Sequence, residues 1–356
     1  MSDPETVLEV DDLRVSFCTE GGAVQAVDGV SFDLRAGEVL AVVGESGSGK
    51  SVTAMTLMGL TRGPNTEVSG AAHFRGTELI GAPEDELRQL RGSDISMIFQ
   101  DPMSSLNPVQ KVGNQIMEQI RAHEDVSEDQ ARERAIELLG AVGIPSPADR
   151  ARSYPHEFSG GMRQRAMIAM ALSLESSVLI ADEPSTALDV TIQAQILRLL
   201  KGINEERGLS IILITHDLGV VAEIADRILV MYGGRIVEEG TLDQIFYDPQ
   251  HPYTWGLLGS LARLDRPRPE RLSQIPGIPP SLLAPPEGCH FRPRCPHAFD
   301  RCNEKPALEA RGEDPAHRDR CWLPVEEKRE RRMVGDRIAL DGGPAAVSAG
   351  SEAETR

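Results

Sequence analysis

At 356 residues, 40% hydrophobic and 26% charged, the chain can bury one large core, or one core plus a smaller appended module. A formal net charge of −18 opposes a broad grip on nucleic acid, which needs a basic face, although a local basic patch is not excluded. No apolar run is as long as the ~18 residues that a membrane helix requires, and the acidic start MSDPETVLEV lacks a hydrophobic signal core.

The first forty residues read as alternating strands, VLEVDDLRVSF and then AVQAVDGVSFDL. AGEVLAVVG follows as a continuous apolar strand suited to a sheet buried on both faces. It runs through a glycine-rich turn into KSVTAMTLMGL, a helical pattern. From about 101 to 177 the reading is mostly helical. VGNQIMEQIRAH and SEDQARERAIELLGAVG both have helical period, the second with Ser127 as N-cap and with Gly143 and Pro145 as its stop.

Next come a buried strand (SVLIADEPST), an amphipathic helix (TIQAQILRLLKGINEER), a second buried strand (LSIILITHD) and a short helix (LGVVAEIA). DRILVMYGGRIVEEG reads as a hairpin turning at Gly233–Gly234. Alternating parallel strands and helices predict an α/β layer with the helical stretch inserted into it. From His251 to Trp322 prolines, arginines and cysteines dominate and periodicity fades, as in an irregular module that needs a staple. The stretch from 333 to 356 reads as a disordered tail. There is no internal repeat.

GESGSGKS, Gly44 to Ser51, fits G-x-x-x-x-G-K-[ST] between a buried strand and a helix. In such a loop Gly44, Glu45, Ser46, Gly47, Ser48 and Gly49 turn backbone N–H groups toward phosphate oxygens, and the helix start adds its positive end. Lys50 would reach the β/γ-phosphates and Ser51 would hold Mg²⁺, with Val52 next in line. SVLIADEP ends an apolar strand in Asp182, suited to Mg²⁺, and Glu183, suited to polarise the attacking water. Taken alone, those two acids could equally be a solvated strand end.

FSGGMRQR, Phe158 to Arg165, resembles the signature of ABC-transporter ATPases. The two phosphate motifs, this signature, STALD at Ser185–Asp189 and ITHD around His216 stand in that family's order, and the resemblance spans roughly residues 7 to 325. It implies an α/β P-loop NTPase fold: an ABC cassette with a RecA-like core, an antiparallel β subdomain, an inserted helical subdomain and a small irregular C-terminal module. The implied boundaries are 1–250 for the cassette, with helices at about 101–177, and 251–332 for the module.

It further implies head-to-tail pairing, in which Ser159, Gly160, Gly161 and Met162 bind the partner's ATP and Asp189 lies at the dimer loop. Met162 stands where glutamine is usual, but the Ser-Gly-Gly before it is intact. Gln100 matches the glutamine that senses Mg²⁺ and water, and His216 the switch histidine beside the γ-phosphate. Phe17 is the candidate for stacking on adenine, with a place in the core as the competing reading.

DPMSSLNP (101–108), HPYTWGLL (251–258) and IPGIPPSL before CHFRPRCP closely resemble the ATPase subunits of oligopeptide and dipeptide importers, a group that includes nickel and oligosaccharide importers. The resemblance implies ATP hydrolysis at the cytoplasmic face of the membrane. It also implies two separate permease chains, an extracytoplasmic substrate-binding protein, and a second ATPase chain, a different one being favoured over a copy of this one. No nucleic-acid partner is expected. A soluble ABC ATPase of DNA repair or translation is the rival reading, and a P-loop kinase would lack the signature.

Four of the five cysteines, Cys289, Cys295, Cys302 and Cys321, are gathered near the C-terminus with spacing C-x5-C-x6-C-x18-C. In a chain without a signal such clustering points to metal more than to disulfides. The tight knuckle usual for structural zinc is absent. Members of the resembling group carry a [4Fe–4S] cluster on C-terminal cysteines, so that is the expected cofactor besides ATP and Mg²⁺, with zinc the alternative. Since these cysteines follow every nucleotide motif, they are expected to take no part in hydrolysis. Cys18 reads as a bystander.

Overall fold

The structure, a computed structural model, describes residues 5–101, 105–185, 188–260, 275–310, 312 and 314–340, with backbone only for 333–340. Strands β1 (Thr6–Thr19) and β2 (Gly22–Arg35) pair antiparallel along their length. Asp12, at φ +44°, sits where the pairing register shifts, and this bulge re-phases the strand so that Val10 and Leu13 are both buried. Strand β3 (Val39–Val43) belongs to a second sheet and leads into helix α1 (Lys50–Leu57). Strands β4 (Thr66–Phe74) and β5 (Thr77–Glu78) complete the first sheet in the order β2-β1-β4-β5.

After helix α2 (Glu84–Leu90) and strand β6 (Ile95–Ile98), the chain leaves the sheet for helices α3 (Val112–His123), α4 (Glu128–Ala141), α5 (Pro147–Arg150) and α6 (Gly160–Ala171). Ser127 caps α4 through a box in which it accepts from the Gln130 N–H while the Gln130 side chain accepts from the Ser127 N–H. The chain returns to the sheet as β7 (Val178–Asp182), crosses by α7 (Val190–Arg207) to β8 (Ser210–Thr215), and by α8 (Leu218–Ile224) to β9 (Arg227–Tyr232).

β9 turns at Gly233 and Gly234, both at positive φ, into β10 (Arg235–Thr241). Helices α9 (Leu242–Tyr247) and α10 (Pro252–Gly259) then lead into the irregular region. Strands β11 (Glu309–Ala310) and β12 (Arg318–Asp319) add to the second sheet, whose order is β11-β12-β10-β9-β3-β8-β7-β6. β3, β6, β7, β8 and β9 run parallel, and the β10 edge is antiparallel.

β3 explains its own apolar run. All five of its residues are buried, and they alternate between cores. Leu40 and Val42 pack with the first sheet, Ala41 and Val43 with the C-terminal region, and Val39 with the inserted helices. The C-terminal region therefore shares a core and a sheet with the cassette. Of the tail expected over 333–356, the first residues fall in helix α11 (Val325–Leu340), and residues 341–356 lie outside the described residues. Among the described residues no helix is long and apolar enough to cross a membrane.

Candidate nucleotide site

The loop between β3 and α1 carries Gly44, Gly47 and Gly49 at positive φ. Gly49, the N-cap of α1, sits at φ +102°, and a Cβ there would lie 2.5 Å from the Ala26 carbonyl oxygen. At Gly44 a Cβ would collide with the carbonyl of Met231. Both positions thus exclude side chains for steric as well as conformational reasons.

Lys50 is buried, and its ammonium donates to the carbonyls of Gly44 (2.8 Å) and Glu45 (3.0 Å). Burial pulls its pKa down, against the attraction of Glu183, Asp182 and Glu45. Ser51 donates to Asp182 Oδ1 at 3.0 Å, which places the hydroxyl of α1 against the carboxylate at the end of β7. Burial raises the pKa of Asp182, the Ser51 hydrogen bond opposes that rise, and neighbouring Glu183 adds to it.

Glu183 follows β7 in the left-handed region, φ +50°, which is unusual for a residue with a side chain. Its carboxylate lies 3.1 Å from His216 Nδ1, just beyond the end of β8. The backbone helps hold it there, since the Glu183 N–H donates to the Ile214 carbonyl at 2.8 Å. A cavity of about 650 Å³ brings Gly44, Glu45 and Ser46 together with Gln100, Glu183 and His216.

The remaining predicted residues lie elsewhere. Ser159 caps α6 by accepting from the Met162 N–H, and Ser159 and Gly160 are exposed at the tip of that helix. Asp189 is exposed and caps α7 through the Ile192 N–H. Neither group lines the cavity. Of STALD, Thr186 and Ala187 lie outside the described residues, as do Pro102, Met103 and Ser104 of DPMSSLNP. Phe17 is half-buried on β1, packs against the core of the first sheet and does not line the cavity. Val52 likewise packs partly into that core.

Two connections were not legible in the motifs. Gln164, 1% exposed, donates to the carbonyls of Glu183 and Pro184, tying the signature helix to the end of β7. Arg294, from the C-terminal region, donates to both oxygens of Glu45 in the phosphate loop, at 2.6 and 3.1 Å.

Comparison with known proteins points to one family. A description of the ABC transporter family matches residues 27–186, and one of the oligopeptide/dipeptide transporter C-terminal region matches 237–302. The chain is 54% identical to the oligopeptide transport ATP-binding protein OppD of Salmonella typhimurium, covering 90% of this chain and 95% of that one. It is 52% identical to the dipeptide transport ATP-binding protein DppD of Bacillus subtilis, covering 93% and 99%.

The chain belongs to the ATP-binding proteins of oligopeptide and dipeptide ABC transporters.

Among solved structures, the dimeric post-hydrolysis state of the ATP-binding cassette MJ0796 bound to ADP and Pi resembles it with a TM-score of 0.61 at 26% identity. That match covers 98% of the cassette but 66% of this ABC protein, so about a third of the present chain lies beyond the shared part.

Cys289, Cys295, Cys302 and Cys321 of this ABC protein all line one enclosed cavity, and none is in a disulfide. Burial pushes the Cys295 and Cys321 thiols up to about 12. The donor chemistry suits a soft metal. The packing does not. The space enclosed is about 10 Å³, room for a single water at most. Among the described residues no group of three or more His, Cys, Asp and Glu side chains is placed to hold a metal ion. The expectation of a metal at this quartet is therefore met in proximity and not in ligand geometry. Cys18 is exposed on β1, away from the other four.

Proposed function

We propose that this chain is the ATPase subunit of a peptide importer, hydrolysing ATP to power movement of di- or oligopeptides through two separate permease chains. The observation that carries this reading is the extent of the likeness. Identity of 54% to an oligopeptide transport ATP-binding protein spans the cassette and the C-terminal region alike. The relatives named transport peptides, which favours peptides over nickel or oligosaccharides, and a DNA-repair role has nothing to support it. The chain then sits at the cytoplasmic face of the membrane, held there by permeases that receive peptide from an extracytoplasmic binding protein.

The chemistry follows from the site. ATP phosphates enter the loop from Gly44 to Ser51, and the Lys50 ammonium exchanges the carbonyls of Gly44 and Glu45 for phosphate oxygens. Ser51, Asp182 and Gln100 would hold Mg²⁺, which neutralises charge on the phosphoryl oxygens during transfer. Glu183 takes a proton from the attacking water, and His216, 3.1 Å away, orients it. The Ser159–Met162 helix start, exposed at Ser159 and Gly160, faces the nucleotide of a second ATPase chain, for which a different chain is favoured over a copy, with Asp189 at the contact. Affinity purification of the intact complex should recover two permeases, and reconstituted vesicles should take up peptide only with ATP. Recovery of nucleic acid without permeases would overturn the reading.

The four cysteines are read as ligands of a structural [4Fe–4S] cluster, with zinc as the alternative. Four unbonded thiols on one cavity, in a region with little regular structure, support this. Loading requires the thiols to move outward from the packing described. Anaerobically purified protein should contain iron and sulfide in about equal amounts and absorb in the visible range. Stoichiometric zinc without iron would select the alternative, and absence of both metals would remove the site.

A further inference from the structure

The phosphate loop is gripped from the C-terminal region at two points on one residue, Glu45. Its carboxylate receives a two-pronged hydrogen bond from the Arg294 guanidinium, and its backbone N–H donates to Tyr253 Oη at 2.8 Å. Both partner side chains are buried and held by further contacts. The Arg294 side chain is 5% exposed, and its remaining N–H groups reach the carbonyls of Pro276 (2.9 Å) and Ile275 (3.0 Å) and the hydroxyl of Tyr232 (3.3 Å). Tyr253 is fully buried, its ring packed on Tyr232 and Phe291 with centroids 4.5 and 5.5 Å away.

The helix that carries Tyr253 starts at a buried His251 cap, whose Nδ1 accepts from the Tyr253 N–H. The His-Pro-Tyr stretch thereby fixes a tyrosine hydroxyl under the loop. The same C-terminal segment walls the nucleotide cavity, through Leu257, Ile275, Gly277, Pro279 and Arg294. Glu45 itself occupies a position of the loop motif that accepts any residue.

We propose that Arg294 and Tyr253 are positioning residues for ATP binding, which hold the phosphate loop in its binding conformation through Glu45. The inference rests on the reading of Gly44–Ser51 as the ATP phosphate site. A loop that must turn consecutive N–H groups toward one anion loses conformational freedom on binding. A bidentate pair anchored at both ends removes that freedom beforehand, so binding costs less. The effect belongs to ground state and transition state alike, because the clamp touches the loop and not the transferred group. It therefore appears in nucleotide affinity and not in turnover at saturation. Because Arg294 immediately precedes Cys295, the order of the loop also depends on the packing of the thiol region.

The test uses the full-length chain. In Arg294→Ala, the Kd for ATP and the KM should each rise about tenfold, with kcat within twofold of the parent. Amides from Gly44 to Ser48 should exchange hydrogen faster in the nucleotide-free protein. Arg294→Lys, which keeps the charge but loses the fork, should fall between the two. Glu45→Gln breaks the same pair without altering the C-terminal region and should reproduce the affinity loss, so it decides the matter if Arg294→Ala does not fold. Unchanged ATP affinity and loop exchange in a folded Glu45→Gln or Arg294→Ala would overturn the proposal. Lys50→Ala in the same assay separates the two readings. If it abolishes binding while the Glu45 and Arg294 variants bind as the parent does, the clamp fails alone; if the parent binds no ATP, both fail.

Discussion

Glu183→Gln should retain ATP binding and lose hydrolysis by about a hundredfold or more, the usual contribution of a positioned base. The substitution keeps the shape of the side chain and a polar contact for His216, now 3.1 Å from the carboxylate, but removes the proton acceptor. The hydrogen bonds of the phosphate loop are kept, because Lys50 and Ser51 make theirs to Gly44, Glu45 and Asp182. With hydrolysis blocked, ATP should hold two cassettes together, and size-exclusion chromatography with ATP should show the pair. Adding Ser159→Arg should abolish that pair while leaving the ATP affinity of the single chain within a few-fold. Ser159 sits at an exposed helix tip and touches nothing in its own cavity. Steady turnover within a few-fold of the parent in Glu183→Gln would remove the base from Glu183.

The parts of this site that sequence reading located are those whose residues are neighbours in the chain. Gly44 to Ser51 is one loop, and its chemistry needs only a strand before it and a helix after it. Asp182 and Glu183 were legible as an acidic end to an apolar run, although the run could not reveal that Glu183 adopts φ +50° or that His216 would meet it. The buried strands were legible because Val39–Val43 contact apolar cores on both sides and so read as continuous hydrophobic runs.

What stayed hidden depends on long-range pairing. Gln164 reads as one more polar residue in FSGGMRQR, yet it is buried against the end of β7. Arg294 and Glu45 are 249 positions apart, and no local pattern marks either. The expectation that the four cysteines take no part in hydrolysis was drawn from sequence separation, and sequence separation gave no sign that Arg294, next to Cys295, reaches the phosphate loop. Phe17, read as a base-stacking candidate with a place in the core as the competing reading, is half-buried on β1 against the core of the first sheet, a contact its local sequence does not mark.

A second large effect is expected where the C-terminal helix α11 docks on the sheet. Lys328 is fully buried, and its ammonium donates to both oxygens of Asp319 on β12, each at 2.8 Å. Asp319 Oδ1 also accepts from the Cys321 N–H, so one carboxylate fixes the helix and the chain at the fourth cysteine together. Lys328→Met should destabilise this region by about 3–5 kcal/mol, because it removes the ammonium that donates to both oxygens of a buried carboxylate. The lost attraction is the smaller part of that cost. Buried ion pairs replaced whole by apolar side chains are often close to neutral. The double variant Lys328→Met/Asp319→Leu should therefore regain part of the loss, falling short by at least the ~1–3 kcal/mol of leaving the Cys321 N–H without its acceptor. Denaturant unfolding of the two single variants and the double variant measures this. If the double variant is as unstable as the sum of the singles, the two residues act independently and the buried pair does not anchor the helix.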